Sequence, residues 1–262
     1  MNNVYSQISI ASYSFHKLLE EGVIDIFGYL ESLRFRYNIQ NADIWNGFIK
    51  DMNDEEIIKV RRAMDDRGLV LANLCCDWAH PWSDNKEELE EQNRMAEKML
   101  RFAEILGAKT VRIDLGVRED DISEAQFDYT AGKFSEYAKI GVNAGFVVGP
   151  ENHWGASRRL AVQQRLYKEI NSPGYGMLLH LGNWNLLEGE TADGNDRAAI
   201  SMAVHTHVSY DIALRAEEAL PPLKEAGYKG AWGVEHHLEV NEYHGVSAHL
   251  GRVMYALSKM GV

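Results

Sequence analysis

The sequence predicts a single (β/α)8 barrel spanning residues 1–262, and three observations carry that prediction. Short apolar runs of β type alternate with longer segments of helical period along the whole chain, with no Pro-, Gly- or Ser-rich linker between them. Eight such pairs fill a length that could also hold two small domains, and about 250 residues is what one barrel of this kind requires. Several helix candidates close on a glycine shortly before a strand, at Gly68, Gly107, Gly145 and Gly227, where a left-handed residue ends the helix. Strict alternation of this sort implies parallel strands joined by helical crossovers. Neither G-x-G-x-x-G after the first strand nor G-x-x-x-x-G-K-[ST] anywhere is found, so nucleotide-binding open sheets lose their usual support.

In chain order the strand candidates are 8–12, 41–45, 69–74, 110–115, 146–151, 176–181, 203–208 and 231–235. Between them the clearest helix is Lys86–Leu106, acidic at its start, apolar at Leu89, Met95, Met99, Phe102 and Leu106, and stopped by Gly107. Glu239 and Glu242 are read as the turn and start of the last helix, and His16, His236, His244 and His249 as structural or surface residues.

Composition narrows the partners. With 45% hydrophobic and 25% charged residues the chain is an ordinary globular protein, and 27 Lys+Arg against 39 Asp+Glu leave a formal charge of −12. That balance repels a phosphate backbone and an anionic membrane surface, so neither nucleic acid nor membrane is expected as a partner. Cys75 and Cys76 are neighbours and make no disulfide framework, no run approaches the roughly 20 apolar residues of a membrane span, and the first residues lack a secretory pattern. A cytoplasmic protein acting on a small molecule is the expectation, with a homo-oligomer left open.

A barrel carries its function at the C-terminal ends of its strands, and here those ends are polar in the second half of the chain. The fifth ends Pro150-Glu151-Asn152-His153, the sixth His180-Leu181-Gly182-Asn183, the seventh reads His205-Thr206-His207 and the eighth ends Glu235-His236-His237. Because side chains alternate along a strand, Glu151 shares a face with His153, His205 with His207, and Glu235 with His237. One inward register can therefore gather carboxylates and imidazoles around a point, a set that suits Mn²⁺, Co²⁺, Fe²⁺ or Zn²⁺. A lone strand histidine is usually a packed residue, but four consecutive strands ending in Glu or His are hard to explain by packing.

The runs Glu151-Asn152-His153, His205-Thr206-His207 followed by Asp211, and Gly233-Val234-Glu235 resemble strand ends of the xylose-isomerase-like TIM-barrel superfamily, in its sugar phosphate isomerase/epimerase branch; Ile10-Ala11-Ser12-Tyr13-Ser14-Phe15 resembles the first strand and turn of that branch. The resemblance implies one divalent metal, Mn²⁺ foremost, held by Glu151, position 180, His207 and Glu235. The family usually has Asp at position 180, where this chain has His180. Two anionic ligands in place of three leave the ion a stronger Lewis acid and move the preference from Mg²⁺ toward a transition metal.

The implied chemistry is isomerisation or epimerisation of a sugar through a cis-enediolate, with Glu151 and Glu235 as the acid/base pair and His153 as a rival base. Arg112, Asn183, His205, Trp154 and His80 are candidates for contacting the sugar, with Asp114, Trp45, Trp78 and Trp82 near them. Elimination from the same enediolate, as a lyase or dehydratase on a keto sugar or keto inositol, is the second reading. An apurinic-endonuclease-like phosphodiesterase and a non-catalytic subunit are more distant ones. No Gly-rich phosphate loop is evident, which favours an unphosphorylated substrate.

Overall fold

Eight parallel strands wind into a nearly closed barrel in the computed structural model, which describes residues 4–238 and 240–261. Glu239 therefore lies outside the described residues. The strands are β1 (Ile8–Ala11), β2 (Asn41–Trp45), β3 (Val70–Cys76), β4 (Thr110–Ile113), β5 (Val147–Gly149), β6 (Met177–His180), β7 (Ala203–Val208) and β8 (Trp232–Val234). Helices separate them: α1 (His16–Glu20) and α2 (Ile26–Glu31), α3 (Asp54–Asp66), α4 (Lys86–Leu106), α5 (Glu124–Ala144), α6 (Leu160–Ile170), α7 (Ala192–Ala199), α8 (Tyr210–Leu214) with α9 (Ala216–Glu225), and α10 (Glu242–Lys259). The predicted architecture is the one found, and the order β5-β4-β3-β2-β1-β8-β7-β6 brings the first strand beside the last.

Local chemistry explains the boundaries. Asn85 caps α4 by accepting from the amides of Glu87 and Glu88, and Gly107, at φ 66°, closes it. Ser123 and Gln126 form a capping box at the start of α5. Strand β5 stops at Gly149 because Pro150 has no N–H to give the ladder. The seam between β5 and β6 is closed instead by bridges at Val148–Tyr175 and Glu151–Leu178, and no side chain could stand at Gly149, where a Cβ would fall 1.6 Å from the Gly176 carbonyl oxygen.

Outward-facing Ile10, Ile44, Leu74, Val111, Ile113, Leu179 and Val234 pack with Met99, Phe102, Phe134, Val253 and Leu257 of the helices in one buried cluster. Each such side chain contributes roughly 1.5–3 kcal/mol by leaving water. The barrel interior is different: Ser9, Asp43, Asn73, Thr110, Arg112, His205 and His207 are all buried there or at the strand ends. A polar lumen is costly unless its groups satisfy one another. That requirement organises the site.

Candidate metal and substrate site

Glu151, His180, His207 and Glu235 converge so that one ligand atom from each lies within 4.8 Å of the others. His180 Nδ1 is 3.0 Å from Glu151 Oε1 and 3.5 Å from Glu235 Oε2; His207 Nδ1 is 3.2 Å and 3.3 Å from the same two atoms. Two features of the fold allow this. Alternation turns each residue inward at the end of its strand. Gly233 leaves space for the rings of β7, since a Cβ there would meet His205 Nε2 at 3.0 Å and His207 Cδ2 at 3.1 Å.

The carboxylates at this point favour positive charge beside them. Burial opposes ionisation of Glu151 and Glu235, yet the histidines beside them, His207 foremost, outweigh it and hold both carboxyls well below the usual range. Burial likewise opposes a proton on His207, but Glu235, Glu151 and Asp43 around it raise its pKa well above that of a free imidazole. A divalent ion would supply the same positive charge. Bonds of about 2.0–2.2 Å to His and carboxylate ligands put tetrahedral neighbours roughly 3.4 Å apart, so separations of 3.0–3.5 Å between the nitrogens and oxygens suit such an ion. The donor set fits a borderline transition metal.

Behind these four residues lies a carboxylate that the sequence reading did not single out. Asp43, buried on β2, places Oδ2 2.7 Å from His205 Nε2 and 3.2 Å from His207 Nε2, while Oδ1 accepts from Asn73 Nδ2 at 2.9 Å. A proton on His207 Nε2, donated to Asp43, would leave Nδ1 free to ligate, so Asp43 holds the ring orientation such a ligand would need. The available signal was an acid inside the apolar run Ala42–Asp43–Ile44, in register with Trp45.

Arg112, also buried, binds Asp77 Oδ1 at 2.7 Å and Asp114 Oδ2 at 2.9 Å, and its Nε lies 3.4 Å from Glu151 Oε2. Asp114 also receives His153 Nδ1 at 2.9 Å and the Trp154 indole N–H at 3.2 Å. Burial works against a charged His153, but its hydrogen bond to Asp114 outweighs that and raises the pKa to about 9. The imidazole expected as a rival base is thus a proton carrier at neutral pH. Above the four convergent residues is a cavity of about 140 Å³, lined among others by Tyr13, Trp45, Arg112, Glu151, His153 and Glu235.

Of the five candidates for sugar contact only Arg112 lines this cavity. His205 lies deeper in the barrel, where it borders a cleft at the opposite end and binds Asp43. Asn183 spends its amide on the carbonyls of Asn152 (2.7 Å) and His153 (3.0 Å), tying the loop after β6 to that after β5. Asn152 completes the tie by donating to the His180 carbonyl at 2.8 Å and accepting its N–H at 2.7 Å. His80 and Trp154 line a separate outer cavity with Trp78 and Trp82, and Asp211 is exposed in the first turn of α8.

Fold and site together define a parallel (β/α)8 barrel whose C-terminal mouth can hold a cation. The chain belongs to the xylose isomerase-like TIM barrel family, which residues 32–249 match. No curated protein sequence matches it. Among solved structures it is similar to an L-ribulose 3-epimerase (15% identity, TM-score 0.73, covering 98% of this chain and 97% of that one). It is also similar to the 3-keto-D-glucoside 4-epimerase of E. coli (14% identity, TM-score 0.72, 97% and 99%) and to a probable 3-DHS dehydratase of Bacillus anthracis (11% identity, TM-score 0.71, 96% and 98%). Likeness at such identity establishes the shared fold. Among the described residues no helix is long and apolar enough to cross a membrane.

Proposed function

We propose that this protein is a divalent-metal-dependent isomerase or epimerase that moves a proton next to the carbonyl of a small sugar or keto sugar. The observation that carries the reading is the convergence of Glu151, His180, His207 and Glu235 on one point, with the two glutamates lining the cavity. A bound Mn²⁺, or Co²⁺, Zn²⁺ or Fe²⁺, held by these four would polarise the substrate carbonyl and acidify the neighbouring C–H.

The chain's own groups do the rest. Glu235 engages His180, His207 and His237 through Oε2, which leaves Oε1 to take the proton and generate the enediolate. Glu151, fixed by Arg112 and the two histidines, returns a proton from the other side in an epimerisation. Arg112 balances the charges of Glu151, Asp77 and Asp114.

A specific observation keeps elimination as the second reading. His153 carries a proton beside Asp114 and lines the cavity, which suits it to protonate a departing β-substituent. The test is a panel of keto sugars in D₂O with Mn²⁺-loaded protein, read by mass spectrometry. Uptake of one deuterium at the carbon next to the carbonyl is the expected outcome, and loss of water or aglycone instead would establish the lyase. Protein purified without chelators should carry about one divalent ion per chain; absence of metal, with thermal stability indifferent to added Mn²⁺, would sink both readings.

A further inference from the structure

The cavity that the proposed chemistry uses has a larger neighbour. At about 140 Å³ the inner cavity has room for a single substituted ring, below the roughly 300–1,000 Å³ of most small-molecule sites. The outer one, about 520 Å³, is formed by the segments after β3, β4 and β5. They share a partition at two places where consecutive residues face opposite sides: Asp77 and His153 line the inner cavity, Trp78 and Trp154 the outer.

Trp78 is the unusual element of that partition. It has φ 57°, in the left-handed region that bulky residues avoid, yet its side chain is 57% exposed and so gains little from burial. The residue before it holds it there. Asp77 accepts from the Trp45 indole N–H (2.7 Å) and from Arg112 (2.7 Å), its carbonyl accepts from Asn46 Nδ2 (3.0 Å), and its N–H donates to Asn46 Oδ1 (3.0 Å). A backbone fixed this firmly to present an exposed indole at a cavity mouth points to a ligand for that indole.

The other walls describe the ligand. Trp82, Trp154 and His80 add aromatic surface, while Asp84 and Glu88 face only one cation, Arg118, among the lining residues. Flat aromatic walls with a net negative rim suit an uncharged ring and repel a phosphate or carboxylate. We propose that the outer cavity is a second subsite, taking the aglycone or second ring of a neutral glycoside whose ketone-bearing sugar ring occupies the inner cavity. The proposal rests on the sugar-directed reading of the inner site and specifies its substrate as a glycoside.

The experiment is calorimetric titration of Mn²⁺-loaded protein with methyl and phenyl glycosides of glucose, galactose and mannose in both anomers, carbonyl-free analogues that can bind without turnover. For at least one sugar the phenyl glycoside should bind about tenfold more tightly than the methyl one, the scale of a stacking contact. In Trp78→Ala and Trp78→Gly that ratio should fall below about threefold. Trp78→Gly should at the same time melt no lower than the parent, since glycine accepts the left-handed backbone; a merely structural tryptophan would be missed. Equal affinities in every pair, a ratio that survives both substitutions, or no binding at all would overturn the second subsite. Methyl glycosides that bind equally and lose binding in His207→Ala would leave the inner reading intact. Phenyl glycosides whose binding ignores His207→Ala would overturn the inner reading.

Discussion

Two groups of histidines sit on either side of the barrel wall and have been treated in opposite ways. His205 and His207 point into the lumen, and with His180 at the mouth each ring nitrogen described above meets a carboxylate within 2.7–3.5 Å. His236 and His249 are equally buried, their rings 5.8 Å apart and flanked by Tyr210, yet among the described residues neither ring has a hydrogen-bond partner on either nitrogen. In the first group, against burial, the carboxylates raise the pKa of His207 well above that of a free imidazole. The second is neutral: burial first, then the nearby His236, takes the pKa of His249 down to about 3, with the Glu235 charge and the Val208 carbonyl opposing only in part. A histidine is therefore no guide to function by type or burial; the carboxylates around it decide.

The largest test of this contrast is removal of a carboxylate from the charged group. Glu151→Gln and Glu235→Gln should each lower kcat/KM of metal-loaded protein by roughly 10²–10⁴ and reduce bound metal on elemental analysis. Loss of less than about tenfold in both would detach the group from the chemistry. Next is Asp43→Ala, which leaves His205 and His207 facing a gap; about 3–5 kcal/mol of stability should be lost in chemical denaturation. A loss under about 1 kcal/mol would mean that water replaces Asp43 readily.

The neutral group predicts acid sensitivity with a definite sign. His249 has a folded pKa of about 3, so an unfolded chain, whose imidazole titrates near about 6.5, binds more protons between those values. Its contribution to stability is complete above pH of about 6.5 and is lost progressively as pH falls toward about 3, at up to about 1.4 kcal/mol per pH unit. Denaturation midpoints at several pH values should show that slope shrinking in His249→Leu. The smallest effect is expected for His249→Leu at neutral pH, within about 1 kcal/mol of the parent because a buried group without partners is exchanged for an apolar one. A loss of more than about 3 kcal/mol would reveal a hydrogen-bonded role for the ring.

Much of the site was legible because its parts repeat a local rule. Glu151, His153, His205, His207 and Glu235 each follow from a strand ending and from alternation, and the predicted strands differ from the observed ones by a residue or two at their ends. His180 needed the same rule and the family resemblance. That Asn183 and His205 stand away from the inner cavity was not legible for a different reason: alternation says which face a side chain takes, and depth in the barrel, or whether its hydrogen bonds are already spent, depends on neighbours distant in sequence. Asp43 was overlooked for the same cause, since its partners are 162 and 164 residues away.

What the sequence determined by itself is the periodic part: eight β/α units, parallel strands, and a polar register at the C-terminal ends of β5 to β8. Those properties depend on residues a few positions apart, through pleat, helix period and capping. The tertiary structure alone decided that Asp43 braces His207, that Asp114 keeps a proton on His153, and that an indole at Trp78 stands between two cavities. Each is a matter of charge and space between separate strands, and electrostatic interaction follows distance in the folded molecule, not order along the chain.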